Sequence, residues 1–272
     1  MNSKIVKSGL VAVALASGSV CADTQDEVNK QVAKLIGDAV STRVSTTVAG
    51  EPGLKAPNNV WGSYSRLYVD PRGESRIGTD ISVVGYDRDL GKDWTVGVAL
   101  SYNDTSRFHS HGWDLSPYVA YRFTNSIFGV ARADFTTFGA PGISGHGNGG
   151  AASINGAHNF GNLYAKWRLE MGASEFDSRS GGITTTSSST KYIGDGEVGY
   201  RFGWGLTGYA GLQVSDTNRE DSYATYARIG LEKELAKDAA VSVKYERKID
   251  DDVPSDSRYS VDVFTIAARF RF

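Results

Sequence analysis

The sequence predicts an all-β protein: an antiparallel transmembrane β-barrel of about 12 strands with an N-terminal α-helix inserted in its lumen. Three observations predict this class. Short segments alternate apolar and polar residues, the chain ends in Phe272, and no apolar run reaches the ~18 residues that a membrane-spanning helix needs. The 272 residues include 32 glycines and 14 tyrosines. The net charge is −2, and the basic residues are not clustered in one block. This charge pattern argues against nucleic acid as a partner.

The N-terminus has the layout of a secretory signal peptide. Two lysines within the first seven residues precede an apolar stretch, residues 9–20, which is too short to cross a bilayer. A small-residue cleavage site follows, and because Val20 precedes Cys21 we expect cleavage after Ala22 and no lipid anchor. Residues 1–22 therefore predict export through the Sec pathway and a mature chain without cysteine.

Residues 23–56 are predicted to form a helix followed by a linker. Apolar residues recur every four positions and make one helical stripe: Val28, Val32, Ile36, Val40 and Val44. Charged residues occupy the rest of the circumference: Lys30, Lys34, Asp38 and Arg43. About twenty helical residues reach roughly 30 Å, enough to cross a barrel. The alternative is a periplasmic or partly disordered linker.

Residues 57–272 are predicted to form the barrel. In the segment 94–102 the even-numbered residues are apolar or aromatic and the odd-numbered residues are small or polar. Strand side chains point alternately to two faces, so one face meets lipid and the other lines the lumen. In other strands the second face carries charges of both signs, and the predicted lumen-facing charges are Asp80, Arg122, Arg132, Asp134, Lys166, Arg168, Glu170, Asp195, Glu197, Arg201, Arg228, Glu232 and Arg269.

These charges have two interpretations. Arginines and carboxylates on neighbouring strands can neutralise one another and grip the helix, or they can form the selective lining of a pore. The last strand resembles the C-terminal assembly signal of outer-membrane proteins, because apolar residues occupy every second position before the terminal aromatic residue. The residues assigned to this signal are Phe264, Ile266, Phe270 and Phe272.

The connections alternate between two kinds. Long polar connections are predicted at 70–75, 104–112, 139–148, 175–190, 216–221 and 250–258, and short turns at 89–93, 124–125, 203–205 and 236–238. Outer-membrane barrels have long extracellular loops and short periplasmic turns, so the two sets fall on opposite sides of the membrane. The segment 149–160 alternates poorly, and a barrel of ten strands is the alternative if it is a loop.

The opening of the barrel resembles an autotransporter β-domain. The resemblance is carried by Val60-Trp61-Gly62, by the segment Gly-Tyr-Asp-Arg-Asp-Leu-Gly at 85–91, read as a turn, and by the Gly-Val-Ala-Leu strand at 97–100. The resemblance extends over residues 57–272. The resemblance implies a twelve-stranded barrel threaded by a helix that connects to a secreted passenger. Only a few residues separate the predicted cleavage site from the helix here, so we expect a translocator-type barrel without a passenger.

Three functions are compatible with this reading: a structural or surface-interaction protein, a small porin-like channel, and an outer-membrane hydrolase. His109 and His111 lie near Asp104 and Asp114, but two histidines on a loop lack the further ligands of a typical metal site. We therefore predict no catalytic, cofactor or metal site. The expected partners are outer-membrane lipid and lipopolysaccharide, periplasmic chaperones and the barrel assembly machinery, with the protein itself a monomer.

Overall fold

The computed structural model describes residues 34–40, 58–71, 76–91, 93–106, 109–217, 222–251 and 259–272. Residues 34–40 are helical. The strands are β1 (Asn58–Pro71), β2 (Ile77–Leu90), β3 (Trp94–Thr105), β4 (Ser110–Arg122), β5 (Ile127–Ala140), β6 (Ile143–Phe160), β7 (Leu163–Ser180), β8 (Ile183–Arg201), β9 (Leu206–Thr217), β10 (Ser222–Ala236), β11 (Ala239–Asp251) and β12 (Tyr259–Arg271). The signal peptide and the remainder of the predicted helix fall outside the described residues. Within those ranges, no helix is long and apolar enough to cross a membrane.

The twelve strands form a closed antiparallel barrel in which every strand pairs with its neighbours in sequence and β1 pairs with β12. Asn58 and Phe272 exchange two backbone hydrogen bonds, with N–O distances of 3.3 and 3.1 Å, where the barrel closes. The predicted fold class and strand count are confirmed. The poorly alternating segment 149–160 belongs to β6, so the ten-strand alternative is wrong.

The two faces of the strands differ as the alternation predicts. Large apolar residues such as Val98, Leu212 and Phe270 are exposed on the outer face, where lipid would cover them. Aromatic rings pair near both ends of the outer face. The ring centres of Trp94 and Tyr121 lie 4.6 Å apart near the periplasmic turns. Those of Tyr102 and Trp113 lie 4.7 Å apart near the opposite rim. These positions match the interfacial girdles of outer-membrane barrels.

Two of the predicted long loops are wrong. β5 and β6 are joined by residues 141–142 alone, and β7 and β8 by Gly181 and Gly182, whose φ angles of 57° and 85° suit a tight hairpin turn. The strands continue through the segments 139–148 and 175–190 because backbone pairing does not require lipid. Beyond the membrane neither face meets hydrocarbon, so both faces become polar and the alternation that marks a strand disappears.

Asp80 is also a correction, because it does not line the lumen. It shares the outer face of β2 with Val84 and Tyr86. The Tyr64 hydroxyl donates a hydrogen bond to it, and Arg66 donates another at 3.1 Å. Beyond the apolar band the outer face of the barrel is no longer covered by lipid. A charged side chain such as Asp80 can therefore lie on the outer face there.

The segment 85–91 differs from the family pattern as well. Residues 85–90 lie within β2, and the turn begins only at Gly91, which has a φ of 87°. Asp87 therefore points into the lumen as a strand residue and is fully buried.

Candidate functional site

The helical residues 34–40 lie inside the barrel, against an apolar sector of its inner wall. Leu35, Ile36 and Val40 are at most 5 % exposed and share one buried cluster with the inward-facing residues of three neighbouring strands, β12, β1 and β2. These wall residues include Leu67, Val69, Ile81, Val83, Val261 and Val263. The placement of this segment agrees with the predicted apolar stripe, which contains Ile36 and Val40.

The opposite face of the same helical turn carries charge. The Lys34 ammonium bonds the Glu246 carboxylate on β11, and both side chains are 1 % exposed. Lys34 also lies 3.5 Å from Asp38, one turn further along, and 4.7 Å from the centre of the Tyr226 ring. A buried ammonium is stable only when opposite charge and hydrogen bonds replace its water shell, and these three neighbours supply that replacement.

Asp38 connects the helical segment to two further strands. Arg168 on β7 donates a hydrogen bond of 2.5 Å to its carboxylate, and the Lys244 ammonium on β11 lies 3.8 Å away. β7 and β11 are separated by three strands around the barrel. The carboxylate therefore joins two distant parts of the wall through the interior.

The wall charges form a network of their own. Arg228 on β10 donates two hydrogen bonds to Asp195 on β8, at 2.6 and 3.0 Å, and a third to Glu197 at 3.3 Å. Its side chain passes over Gly211 of the intervening strand β9, where an added Cβ would lie 2.8 Å from the arginine Nε. Lys166 lies 3.5 Å from Glu197. Because Gly211 has no side chain, the Arg228 side chain has the space that it needs to contact β8.

A second glycine fits the helical segment to the wall. Arg132 on β5 pairs with Glu170 at 3.2 Å and with Asp134 at 3.1 Å. A Cβ built on Gly37 would lie only 2.5 Å from the Arg132 Nη1 atom. The backbone therefore approaches the guanidinium as closely as a glycine permits.

Among the residues that the structure describes, the network is balanced in charge. Six basic side chains face six acidic ones, the basic ones being Lys34, Arg132, Lys166, Arg168, Arg228 and Lys244 and the acidic ones Asp38, Asp134, Glu170, Asp195, Glu197 and Glu246. Each side chain is less than a quarter exposed. Because the charges compensate locally, their arrangement holds the helical segment and gives the lumen no strong field of one sign.

The predicted lumen charges divide into three groups. Eight join the network just described: Arg132, Asp134, Lys166, Arg168, Glu170, Asp195, Glu197 and Arg228. Four others lie towards the periplasmic end, where Arg269 pairs with Glu232 at 2.9 Å, Arg201 bonds Asn159 at 2.8 Å, and Arg122 ends β4. Asp80 lies on the outer face.

The sequence reasoning missed a buried carboxylate in the lumen wall. Asp87 accepts hydrogen bonds from the Asn59 amide at 2.7 Å, the Trp61 indole at 3.2 Å and the Tyr118 hydroxyl at 2.9 Å. It thereby ties β1, β2 and β4 together. The alternation of β2 was the available signal, since Asp87 shares the inward face with Ile81 and Val83.

Lys244 and Glu246 were also missing from the predicted lumen set, although both lie on the charged face of β11. Their partners Lys34 and Asp38 could not be assigned from the sequence, because the contact joins residues more than 200 positions apart.

The histidines and acidic residues near the β3–β4 connection do not converge. His111 and Asp104 are cross-strand neighbours on the outer face, whereas Asp114 points inward and accepts hydrogen bonds of 2.6 Å from Ser101 and Thr136. Among the described residues, no group of three or more metal-binding side chains is close enough to hold an ion.

A cavity of about 510 Å³ lies between the helical segment and the periplasmic turns. Asp38 and Arg168 line it on one side, and Lys237 and Asp238 of the β10–β11 turn on the other. Polar and charged side chains line most of the remainder, so the space suits water or a polar solute.

Comparison with solved structures shows which known barrels share this fold. The alignment with the translocator domain of the autotransporter NalP from Neisseria meningitidis spans 90% of this chain and 98% of that domain, at 11% identity and a TM-score of 0.59. The alignment with the β domain of the Bordetella autotransporter BrkA spans 79% of this chain and 100% of that domain, at 16% identity and a TM-score of 0.55. The chain has the fold of autotransporter translocator domains.

An outer-membrane channel from Pseudomonas putida F1 shares the fold too. The alignment with it spans 82% of this chain and 100% of the channel, at 11% identity and a TM-score of 0.54. No protein-family profile and no curated protein sequence matches the chain. The likeness to outer-membrane barrels supports an outer-membrane location for this translocator-like barrel, and its role depends on what the lumen and the surface of this chain can do.

Proposed function

We propose that this chain is an outer-membrane barrel whose lumen is closed by its own N-terminal helical segment, and that it serves as a structural or surface-interaction protein. The observation that carries the proposal is the pair of ionic contacts made by one helical turn. Lys34 bonds Glu246 on β11, and Asp38 bonds Arg168 on β7. These contacts hold the segment across the lumen and not along one wall.

The energetics favour a closed resting state. Withdrawal of the segment would leave the buried Glu246 and Arg168 without their nearest partners, and it would expose Leu35, Ile36 and the apolar wall to water. Breaking a buried ion pair by removal of one partner costs about 3–5 kcal/mol, and each large apolar side chain exposed to water adds about 1.5–3 kcal/mol. An open pore would need a ligand or a force that offsets these costs.

A solute channel is the second candidate, and the charged cavity beside the helical segment favours it. In that case the cavity is part of a pathway between the segment and the wall strands β7–β11. The channel candidate predicts passage of small polar solutes while the segment stays in place.

Conductance across a planar bilayer separates the two candidates. The intact protein is compared with a variant lacking residues 23–56. The closed-barrel proposal expects a current only after truncation, because removal of the segment opens the lumen. A large current in both proteins would favour the channel, and no current in either would show that the barrel wall itself closes the lumen.

The proposed route to the membrane is export by the Sec pathway, handling by periplasmic chaperones and insertion by the barrel assembly machinery. The exposed outward row formed by Phe264, Ile266 and Phe270, ending at Phe272, supports recognition by that machinery. The outer face would contact lipid and lipopolysaccharide. We propose a monomer within the membrane and assign no catalytic role. Fractionation of cells expressing the chain with and without residues 1–22 tests the export step.

A further inference from the structure

A stretch of β8 rises above the neighbouring strand β9. The pairing of β8 with β9 begins at Lys191 and Thr217, whereas β8 itself begins at Ile183. Residues 183–189, here called the β8 edge, therefore extend beyond β9 on the extracellular side. Seven strand residues span about 23 Å. No strand among the described parts of the chain pairs with this edge.

The β8 edge is held in strand conformation by its other neighbour. It pairs with β7 from the Ser180–Ile183 pair downwards, next to the Gly181–Gly182 turn. On the β7 side, the rings of Phe138 and Phe176 lie 5.8 Å apart over the glycines of β6 and tie β7 to β5. An ordered edge loses little conformational entropy when another strand joins it.

The hairpin geometry shows which backbone groups face away from β7. A two-residue turn makes the flanking Ser180–Ile183 pair a hydrogen-bonded pair. Pairs then alternate along the ladder, so the N–H and C=O groups of Thr184, Thr186 and Ser188 point to the open side. These groups are available to an added strand.

The β8 edge lacks the features that usually prevent strand addition. Its sequence is Ile-Thr-Thr-Thr-Ser-Ser-Ser, with no proline, glycine or charged residue. Exposed edge strands are normally protected by charged residues, proline or bulges. Threonine also favours the extended conformation.

We propose that the β8 edge binds the same edge of a second copy of this chain in an opposing membrane. The inference rests on the proposed surface-interaction role and specifies its partner. An uncharged edge can meet itself without repulsion, and a two-fold axis parallel to the membranes makes the two strands antiparallel. With the axis at Thr186, Thr184 of one copy faces Ser188 of the other, giving about six hydrogen bonds. Two barrels in one membrane would bring the same edges together in parallel, so the contact joins facing membranes.

One such contact is weak, because few side chains are buried with it. Many copies on two facing membranes act together, and linked sites can raise the overall affinity by about 10²–10⁴. The protein is therefore expected to be monomeric in detergent and to cluster vesicles when it is reconstituted at high density.

Vesicle clustering tests the proposal with the protein alone. The full mature chain is reconstituted into phosphatidylcholine vesicles, and clustering is followed by light scattering. The double variant Thr186→Pro/Ser188→Pro removes two edge donors, and proline is tolerated on an edge strand. The matched control Thr186→Val keeps the edge N–H while removing the hydroxyl that bonds Asp177 at 2.5 Å.

Wild-type vesicles are expected to scatter at least about tenfold more than empty ones, given the gain from multiple linked contacts. The valine control is expected to behave like the wild type, and the proline variant like empty vesicles. Wild-type scattering at the level of empty vesicles would overturn the proposal, and so would a folded proline variant that clusters normally.

Folding is checked by the heat-dependent gel mobility of the barrel. If the proline variant does not fold, Thr186→Lys replaces it, because the lysines of two copies would face each other across the contact and should abolish clustering. Conductance of the same samples reports on the closed lumen. A failure of clustering and a failure of lumen closure are therefore separate results.

Discussion

Replacement of Lys34 by methionine is expected to release the helical segment from the barrel wall. Lys34 is the nearest cationic partner of Glu246, and both side chains are 1 % exposed. Methionine has a similar length but no charge, so among the described residues Glu246 would retain Lys244, 3.7 Å away, as its cationic partner. Loss of one partner from a buried pair costs about 3–5 kcal/mol, and we expect the remaining lysine to reduce this to about 2–3 kcal/mol.

This free energy acts on the equilibrium between the closed and open lumen. A difference of about 2–3 kcal/mol changes an equilibrium constant by about 30- to 150-fold. In a planar bilayer, the Lys34→Met variant should therefore open far more often than the wild type under the same voltage and salt. The readout is the open fraction of single channels, which does not depend on the amount of protein inserted.

Two further variants make the reasoning refutable. Arg179→Met removes an exposed cation near the extracellular end of β7, away from the lumen network, and should leave the open fraction unchanged. The double variant Lys34→Met/Glu246→Gln removes the stranded charge as well and should recover part of the closure. An open fraction in folded Lys34→Met equal to that of the wild type would show that this ion pair does not hold the lumen closed.

Three other changes test the remaining features of the barrel. Gly37→Ala should raise the open fraction about tenfold in the same bilayer assay, since its Cβ would displace the Arg132 guanidinium, which Asp134 and Glu170 hold in place; an unchanged open fraction would show that the guanidinium moves aside without cost. Asp87→Ala removes three buried hydrogen-bond acceptor contacts and should lower the free energy of unfolding in urea by about 2–4 kcal/mol. Leu212→Arg should cost about 2–4 kcal/mol because its side chain faces lipid, whereas Asp80→Ala at the polar rim should cost less than about 1 kcal/mol; equal effects in urea unfolding would contradict the assignment of faces.

The sequence was sufficient for the barrel wherever the wall crosses lipid. β3 shows why, since hydrocarbon on one side and the interior on the other impose opposite polarities on successive residues such as Leu100 and Ser101. The same reasoning failed for the extracellular ends of β5 to β8. In the segment 183–189 both faces are polar, and nothing in the composition distinguishes a paired strand from a loop. Pairing there depends on backbone hydrogen bonds, which leave no periodic signal.

The sequence predicted most of the charged residues that face the lumen, but it did not predict which of them contact one another. Alternation placed Arg228 and Asp195 on the inner face of their strands. The sequence could not show that they meet, because the contact requires an exact register and passes over Gly211 on the strand between them. Asp80 shows the opposite case. Its position matches that of Val84, so strict use of the two-residue period would have placed it outside.

The helical segment fits the lumen in one rotational setting. Successive residues of an α-helix are about 100° apart, so residues two positions apart lie on nearly opposite sides. Lys34 and Asp38 therefore face one wall while Ile36 and Val40 face the other, and the wall is divided in the same way, with apolar residues on β12, β1 and β2 and charges on β5 to β11. A half-turn rotation would press both charges against hydrocarbon and leave Glu246 and Arg168 facing apolar side chains. The cost of that arrangement makes the segment a fixed part of the barrel interior, so opening requires its withdrawal and not its rotation.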